Sequence, residues 1–436
     1  MRVEMAFGKT GIPLELPEAA ECPGAPHWTV LEPRWAAPLE DEPAAIAAAL
    51  DAPIAGPALE DLARGRASAA ISVCDITRPA PNPVTLPPVL ERLERAGIAR
   101  ENITILIATG LHRPAPPEEI VSIVGEDISK KYRVENHFAR QQADHRHMGE
   151  TSRGTPVWID RRFTDADLHI TLGFIEQHLM AGFSGGRKLI APGLAYQDTI
   201  RGLHSPRFMR DARAVEGSIE DNPLHAELLE IAKLARHDFA LDVVLAPGRR
   251  ICGVFAGQPG VSHAAGMAFV REKTTAWIPG LYDAAITSAA GYPLDLTFYQ
   301  TVKGITAASH IVRPGGLILV VSACSEGSGA EEFSRMLLEF DQPSAMLESL
   351  NGCPVIVDQW QLEKLALVSQ SHRVLFYVPG LAQKYRSRLW GPAYDSAGEA
   401  VAALAAALGP GAGVAVLPEG PYVFARPRSR QLELVQ

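Results

Sequence analysis

Short aliphatic and β-branched runs recur along the chain, each closed by a polar or Gly/Pro cluster: Ala69 to Val73, Ile103 to Ala108, His169 to Phe174 and Asp242 to Leu245. Apolar runs of this length, without alternation, fit strands of a parallel sheet covered on both faces. Helical spacing lies between them. In Leu86 to Ala96, for example, Leu86, Val89, Leu90 and Leu93 fall on one face. A second series follows Ile278-Pro279-Gly280, with strands expected at Ala284 to Ser288, Leu317 to Val321, Val355 to Val357 and Val374 to Val378, and a helix at Phe298 to Ser309. The pattern predicts two α/β domains with mainly parallel sheets, residues 1–275 and 276–400. Residues 401–436 read as a helix (Ala400 to Leu408) and a strand (Val414 to Leu417), with the sheet that takes the strand left open.

Ligands of open α/β sheets collect in the crevice beyond the carboxyl ends of the strands. Asp75, Thr77 and Arg78 follow the first run, His112 the second, and Gln177 and His178 the third, so three strand ends are expected to converge on an active-site cleft that the second domain closes.

The composition narrows the partners. The chain has 436 residues, 47% hydrophobic and 21% charged, enough for two sizeable cores. A net charge of −9, with no Lys/Arg block, excludes a nucleic-acid groove and a polybasic membrane contact. A small anionic substrate would then need local cations. The five cysteines (Cys22, Cys74, Cys252, Cys324, Cys353) form no CxxC pair and imply neither a disulfide framework nor a zinc site. No apolar segment has the length of a signal peptide or a membrane span, and the protein is expected in the cytoplasm.

The densest chemistry lies between Gly173 and His204, where His178, a Gly-rich turn, Lys188 and His204 fall within about thirty residues. The turn Gly182-Phe183-Ser184-Gly185-Gly186-Arg187-Lys188 is not a P-loop: its glycines are too closely spaced, and Leu189 stands where a Ser/Thr would hold magnesium. Arg78, in Asp75-Ile76-Thr77-Arg78-Pro79, could fork onto a carboxylate or phosphate. His112, in the loop 109–114, is a candidate acid or base. In the helix expected at 298–309, Lys303 stands at i+4 from Tyr299 and i+3 from Gln300, so one face offers a cation, an amide and a phenol. His145-Arg146-His147 reads as a solvated loop, because adjacent polar residues give no fixed ligand face.

Five dispersed segments resemble the lactate racemase family, enzymes that use a nickel-pincer nucleotide: CDITRP at 74–79, ATGLHRP at 108–114, the 173–204 stretch, GYPLDLTFYQTVKG at 291–304 and DQW at 358–360. The resemblance implies that Lys188 carries the cofactor covalently and His204 ligates nickel, the remaining ligands belonging to the cofactor. It further implies that Ser184, Gly185 and Gly186, with the turn at Asp75 and Thr77, hold the nucleotide part. His112 and His178 would be paired acid and base, Arg78 and Lys303 would grip the substrate carboxylate, and Tyr299, Gln300 and Trp360 would line the pocket. The implied reaction is racemisation or epimerisation of a 2-hydroxy acid by proton-coupled hydride transfer. Cofactor-biosynthesis proteins would be partners.

The match has departures. Pro before the second catalytic histidine and an aromatic after it are expected of the family; Gln177, Leu179 and Met180 stand here. The substrate side chain therefore stays open. A non-catalytic nucleotide- or anion-binding protein that keeps the Gly-rich loop is the alternative reading, while a histidine-ligated hydrolase lacks the closely spaced ligand motif it would need.

Overall fold

The computed structural model describes residues 1–18 and 24–428. Cys22 and residues 429–436 lie outside them. The chain divides into two compact units, Trp35–Lys273 and Met1–Arg34 with Thr274–Gln436.

The Trp35–Lys273 unit is built on a six-stranded sheet in the order Ile251–Gly257, Phe239–Leu245, Leu168–Phe174, Ala69–Cys74, Ile103–Ala108, Arg133–Asn136. All neighbours are parallel except the Ile251–Gly257 edge. The two central strands, Ala69–Cys74 and Leu168–Phe174, are buried at every position, which is why they read as unbroken apolar runs. Helix Asn82–Arg95 covers one face through Leu86, Val89, Leu90 and Leu93, all buried. Each such side chain contributes roughly 1.5–3 kcal/mol relative to exposure.

The 145–147 cluster is not a solvated loop. It opens strand His145–Glu150, antiparallel to Pro156–Asp160. His145 is buried, donates from Nδ1 to the Gln141 carbonyl at 2.8 Å and meets the His137 ring edge-on. His147 packs on Trp158. Hairpin pairing gave these polar residues a scaffold that their local sequence does not announce.

The other unit holds a five-stranded parallel sheet in the order Arg373–Tyr377, Val312–Val321, Tyr282–Ser288, Gly413–Leu417, His27–Val30. The strand near residue 414 thus belongs to this sheet. So do the opening residues, which the sequence pattern groups with the N-terminal domain: His27–Val30 extends the edge beyond Gly413–Leu417, and hairpin Arg2–Met5/Ile12–Glu15 adds Met5 and Leu14 to the same core. Val355 to Val357 is not a strand. The Ile356 N–H donates to Gln359 Oε1 at 2.6 Å, Asp358 takes a left-handed φ of 68°, and helix Gln359–Ser371 begins there. Pro354, without an N–H, also weakens any ladder at that point.

Helix Phe298–Ser309 forms as the spacing predicts. Gly304 lets it lie directly on the Ser288 carbonyl, which an added Cβ would strike. Among the described residues no helix is long and apolar enough to cross a membrane.

Candidate active site

Parallel neighbours in the six-stranded sheet bring the three expected strand ends side by side, with Cys74 level with Ala108 and Val73 level with Leu172. The chain turns out of Ile103–Ala108 at Gly110, which has φ of 54° and donates its N–H to the Gly193 carbonyl at 3.0 Å. The Thr109 hydroxyl donates to the His137 carbonyl at 2.8 Å. This turn presents His112, whose side chain is 52% exposed while its Nδ1 lies 2.7 Å from Asp75 Oδ2.

Asp75 is itself buried, and its Oδ1 accepts the Thr77 hydroxyl at 2.6 Å. Burial pushes this carboxyl up, but the hydrogen bond and charge of His112, the Thr77 hydroxyl and the Arg78 guanidinium together hold it below the ordinary carboxylate value. An ionised carboxylate can only accept, so the neutral His112 ring donates from Nδ1 and keeps its lone pair on Nε2. Both oxygens of Asp75 and the hydroxyl of Thr77 are therefore engaged in orienting His112, a role that the sequence motif did not indicate. Arg78 caps the same turn, its N–H donating to the Asp75 carbonyl, with its guanidinium partly exposed.

His178 sits on the small hairpin Gln177–His178/Gly182–Phe183. Its Nδ1 accepts the N–H groups of Met180 and Ala181, both at 3.3 Å. The neutral ring consequently carries its proton on Nε2.

The Gly-rich turn is shaped by packing. The Ser184 hydroxyl donates to the Phe174 carbonyl and accepts the Glu176 N–H, each at 2.9 Å. The Gly186 N–H donates to Asp242 Oδ1 at 2.9 Å. A Cβ on Gly185 would stand 2.8 Å from Asp242 Oδ1, and one on Gly186 3.1 Å from the His263 ring, with φ of 78° and 47° at the two positions. These donors and glycines, expected to face a phosphate, serve the turn's own fold. The anion-binding alternative loses support accordingly.

Three residues behind the turn escaped the sequence reading: Arg187, Asp242 and His263, all buried. Arg187 Nη2 donates to the carbonyls of Ala181 and Phe183 at 2.9 and 3.3 Å, and His263 donates from Nε2 to the Ser184 carbonyl at 2.8 Å. Burial raises the Asp242 carboxyl to about 7, opposed by the Gly186 N–H and Arg187, and burial lowers Arg187 to about 9, opposed by Asp242. A carboxylate inside the otherwise apolar run Phe239–Leu245 was the one visible signal.

Lys188 follows in the short turn Gly186–Leu189, partly buried. Its carbonyl accepts the Gly193 N–H at 3.1 Å, so Gly193 links the Lys188 turn to the His112 turn. His204 closes helix Gln197–Leu203 and donates from Nδ1 to the Ile200 carbonyl at 2.8 Å. Although the ring keeps some exposed surface, desolvation, together with the nearby Lys188 charge, lowers it to about 4 against the Ile200 bond. His204 is thus neutral at pH 7 with its lone pair on Nε2, the state in which imidazole binds a metal. Among the described residues no group of three or more His, Cys, Asp or Glu could hold a metal ion.

The remaining candidates lie in the other unit. Tyr299, Gln300 and Lys303 occupy helix Phe298–Ser309, and Trp360 opens helix Gln359–Ser371. Trp360 donates from Nε1 to the Tyr299 hydroxyl at 3.1 Å, and Tyr299 meets Phe333 edge-on. Gln300 Oε1 is buried without a hydrogen-bond partner among the described residues, as expected of an acceptor that awaits a ligand or water.

Comparison with known proteins gives two family matches, the lactate racemase N-terminal domain over residues 7–217 and the lactate racemase C-terminal domain over residues 280–425. A lactate racemase of Lactiplantibacillus plantarum is 38% identical over 331 residues, 75% of this chain and 77% of that protein. A lactate racemase of Thermoanaerobacterium thermosaccharolyticum is 33% identical over 381 residues, 87% of this chain and 89% of that protein. The structure of the lactate racemase apoprotein from Thermoanaerobacterium thermosaccharolyticum matches with a TM-score of 0.88 at 31% identity, covering 98% of this chain and 100% of that one.

Proposed function

The chain belongs to the lactate racemase family, and from that premise we propose that this racemase interconverts the configurations of a small anionic 2-hydroxy acid by proton-coupled hydride transfer with a nickel-pincer nucleotide. The observation that carries the reading is His112, exposed at a strand end with its Nδ1 committed to a buried carboxylate, so that Nε2 is set to take a hydroxyl proton.

The residues fit the cofactor. Lys188 would hold it covalently, and His204, neutral with Nδ1 on the Ile200 carbonyl, would donate Nε2 to nickel. The nucleotide part is proposed to lie against the turns at Asp75–Thr77 and Ser184–Gly186 through contacts other than the Ser184 hydroxyl and the Gly186 N–H, which the fold already uses. Once bound, the cofactor supplies a hydride acceptor that can return the hydride. The carbon-bound hydrogen of a 2-hydroxy acid is a poor acid, so it leaves as hydride while the hydroxyl proton passes to a base. The resulting 2-keto acid can take hydride back on its other face, which requires a second proton-transfer group there. His112 and His178 are proposed for the two sides. They follow strands two spacings apart in the sheet, about 10 Å, room for a small hydroxy acid. Arg78 and Lys303 are proposed to bind the carboxylate and Tyr299, Gln300 and Trp360 to line the substrate. Cofactor-biosynthesis proteins are the proposed partners, in the cytoplasm.

Two measurements test this. Protein from a cofactor-producing host should show a mass adduct on Lys188 with stoichiometric nickel and should racemise a 2-hydroxy acid. His112→Ala and His178→Ala should each abolish racemisation, and full activity in either would refute the paired scheme.

A further inference from the structure

The buried cluster behind the Gly-rich turn has no part in the reaction as described, yet it holds the backbone that contacts His178. Arg187 reaches the Ala181 carbonyl at 2.9 Å and the Phe183 carbonyl at 3.3 Å, while the N–H of the same Ala181 donates to His178 Nδ1. Arg187, Ala181 and His178 therefore form a relay of two hydrogen bonds. On its other side Arg187 Nη1 lies 3.3–3.4 Å from the His263 ring nitrogens, and His263 in turn donates to the Ser184 carbonyl. The hairpin that bears His178 is pinned on its inner side at residues 181, 183 and 184.

We propose that Arg187 is a positioning residue for the racemase: by fixing Ala181 it holds His178 in the tautomer that carries the ring proton on Nε2. The residue type suits the task. Both carbonyls are bonded by one nitrogen, Nη2, which the planar guanidinium holds in place while Nη1 meets His263; a lysine ammonium on its flexible stem lacks that second anchor. The guanidinium stays charged at neutral pH even in its buried setting, and charge-assisted bonds hold their geometry better than neutral ones. Burying an arginine without a carboxylate within ion-pair distance among the described residues is costly, and a solubilising or surface role is excluded by its burial. Its Nε also lacks a hydrogen-bond partner among the described residues, so the side chain is not placed for its own satisfaction.

The inference rests on the racemase reading for its kinetic arm only; the tautomer belongs to the folded chain. Long-range proton–nitrogen NMR, with His178→Gln to assign the signal, reads which ring nitrogen is protonated. In the wild-type chain His178 should show an unprotonated Nδ1 and a protonated Nε2. Arg187→Lys, which keeps a cationic side chain but loses the planar guanidinium and its second anchor at His263, should give mixed tautomers, and kcat should fall by about tenfold with KM little changed. Arg187→Met with Asp242→Asn removes the buried cation together with the titratable carboxyl near it and should act likewise if the single lysine variant folds poorly. A wild-type ring protonated on Nδ1, or an Arg187→Lys ring with the wild-type pattern, overturns the proposal. Absence of racemisation by the loaded wild-type protein would instead defeat the functional reading, and the tautomer seen by NMR would still decide the role of Arg187.

Discussion

Replacing Asp75 by asparagine tests the His112 geometry most directly. The carboxylate accepts from His112 at 2.7 Å and from Thr77 at 2.6 Å, and it is itself buried. In Asp75→Asn the amide oxygen can still accept from Thr77, but the NH2 group then faces Nδ1 and donates to it. The ring proton moves to Nε2, where the base needs its lone pair. Turning the amide round restores the tautomer, with the Thr77 hydroxyl then accepting from the NH2 group, but the charge-assisted bond to His112, about 1.5–3 kcal/mol, is lost either way. That loss corresponds to a fall in kcat/KM of about 10–10²-fold. Chiral chromatography of each enantiomer should show equal falls in both directions, because enantiomers have equal free energies. The defect should persist unchanged through neutral pH. The folded Asp75 carboxyl lies below its ordinary value, so its contribution is lost only as pH drops through that depressed value. Intact mass should show Lys188 loaded as in wild type. A variant loaded to that level and within about threefold of wild-type kcat/KM would refute the role of the carboxylate.

Two further outcomes concern stability. Gly304→Ala drives a methyl into the Ser288 carbonyl and should lower the denaturation midpoint, with a loss of about 1–3 kcal/mol; an unchanged midpoint would mean that the helix does not lie on that strand end. Asp242 supplies a pH signature: the folded carboxyl keeps its proton up to about pH 7, whereas the unfolded one releases it near its ordinary value of 3.8. Stability should therefore fall as pH rises through that window, by up to about 1.4 kcal/mol per unit for this group, and Asp242→Asn should flatten the dependence. A wild-type minus variant difference in Tm that is constant from about pH 4 to pH 7 would contradict it.

The sheet was legible where burial is two-sided. Ala69–Cys74 and Leu168–Phe174 have no solvent face, so their apolar runs declared both strand and layer, with Asp75 and His178 following them as His112 follows Ile103–Ala108. The pairing of His27–Val30 with Gly413–Leu417 was not legible, because strand partners hundreds of residues apart leave no mark in local pattern. Val355 to Val357 shows the converse: strand propensity was present, but a side chain, Gln359, claimed the backbone donor. At the site, motif types were readable and bond directions were not. Ser184 and Gly186 looked like ligand groups; their hydroxyl and N–H turned inward once Phe174, Glu176 and Asp242 stood behind them.

Those bond directions make the two histidines chemically unlike, although a racemase acts on both faces of its substrate. At His112, Nδ1 already donates to a carboxylate, and a second proton enters at Nε2 without disturbing any bond. At His178, Nδ1 accepts two N–H groups, and a second proton there would set a donor against two donors. Losing those two bonds costs about 1–3 kcal/mol. His112 thus rests with a lone pair on Nε2, whereas His178 rests with an Nε2–H that it can release without becoming an imidazolate only after Nδ1 has taken a second proton. To take that second proton, His178 must loosen the Met180–Ala181 peptide segment, and Arg187 sets how readily that segment yields. The buried cluster would then govern the exchange between the two proton states and not only the resting geometry. Weakening it should perturb kcat, which includes that exchange, more than substrate binding.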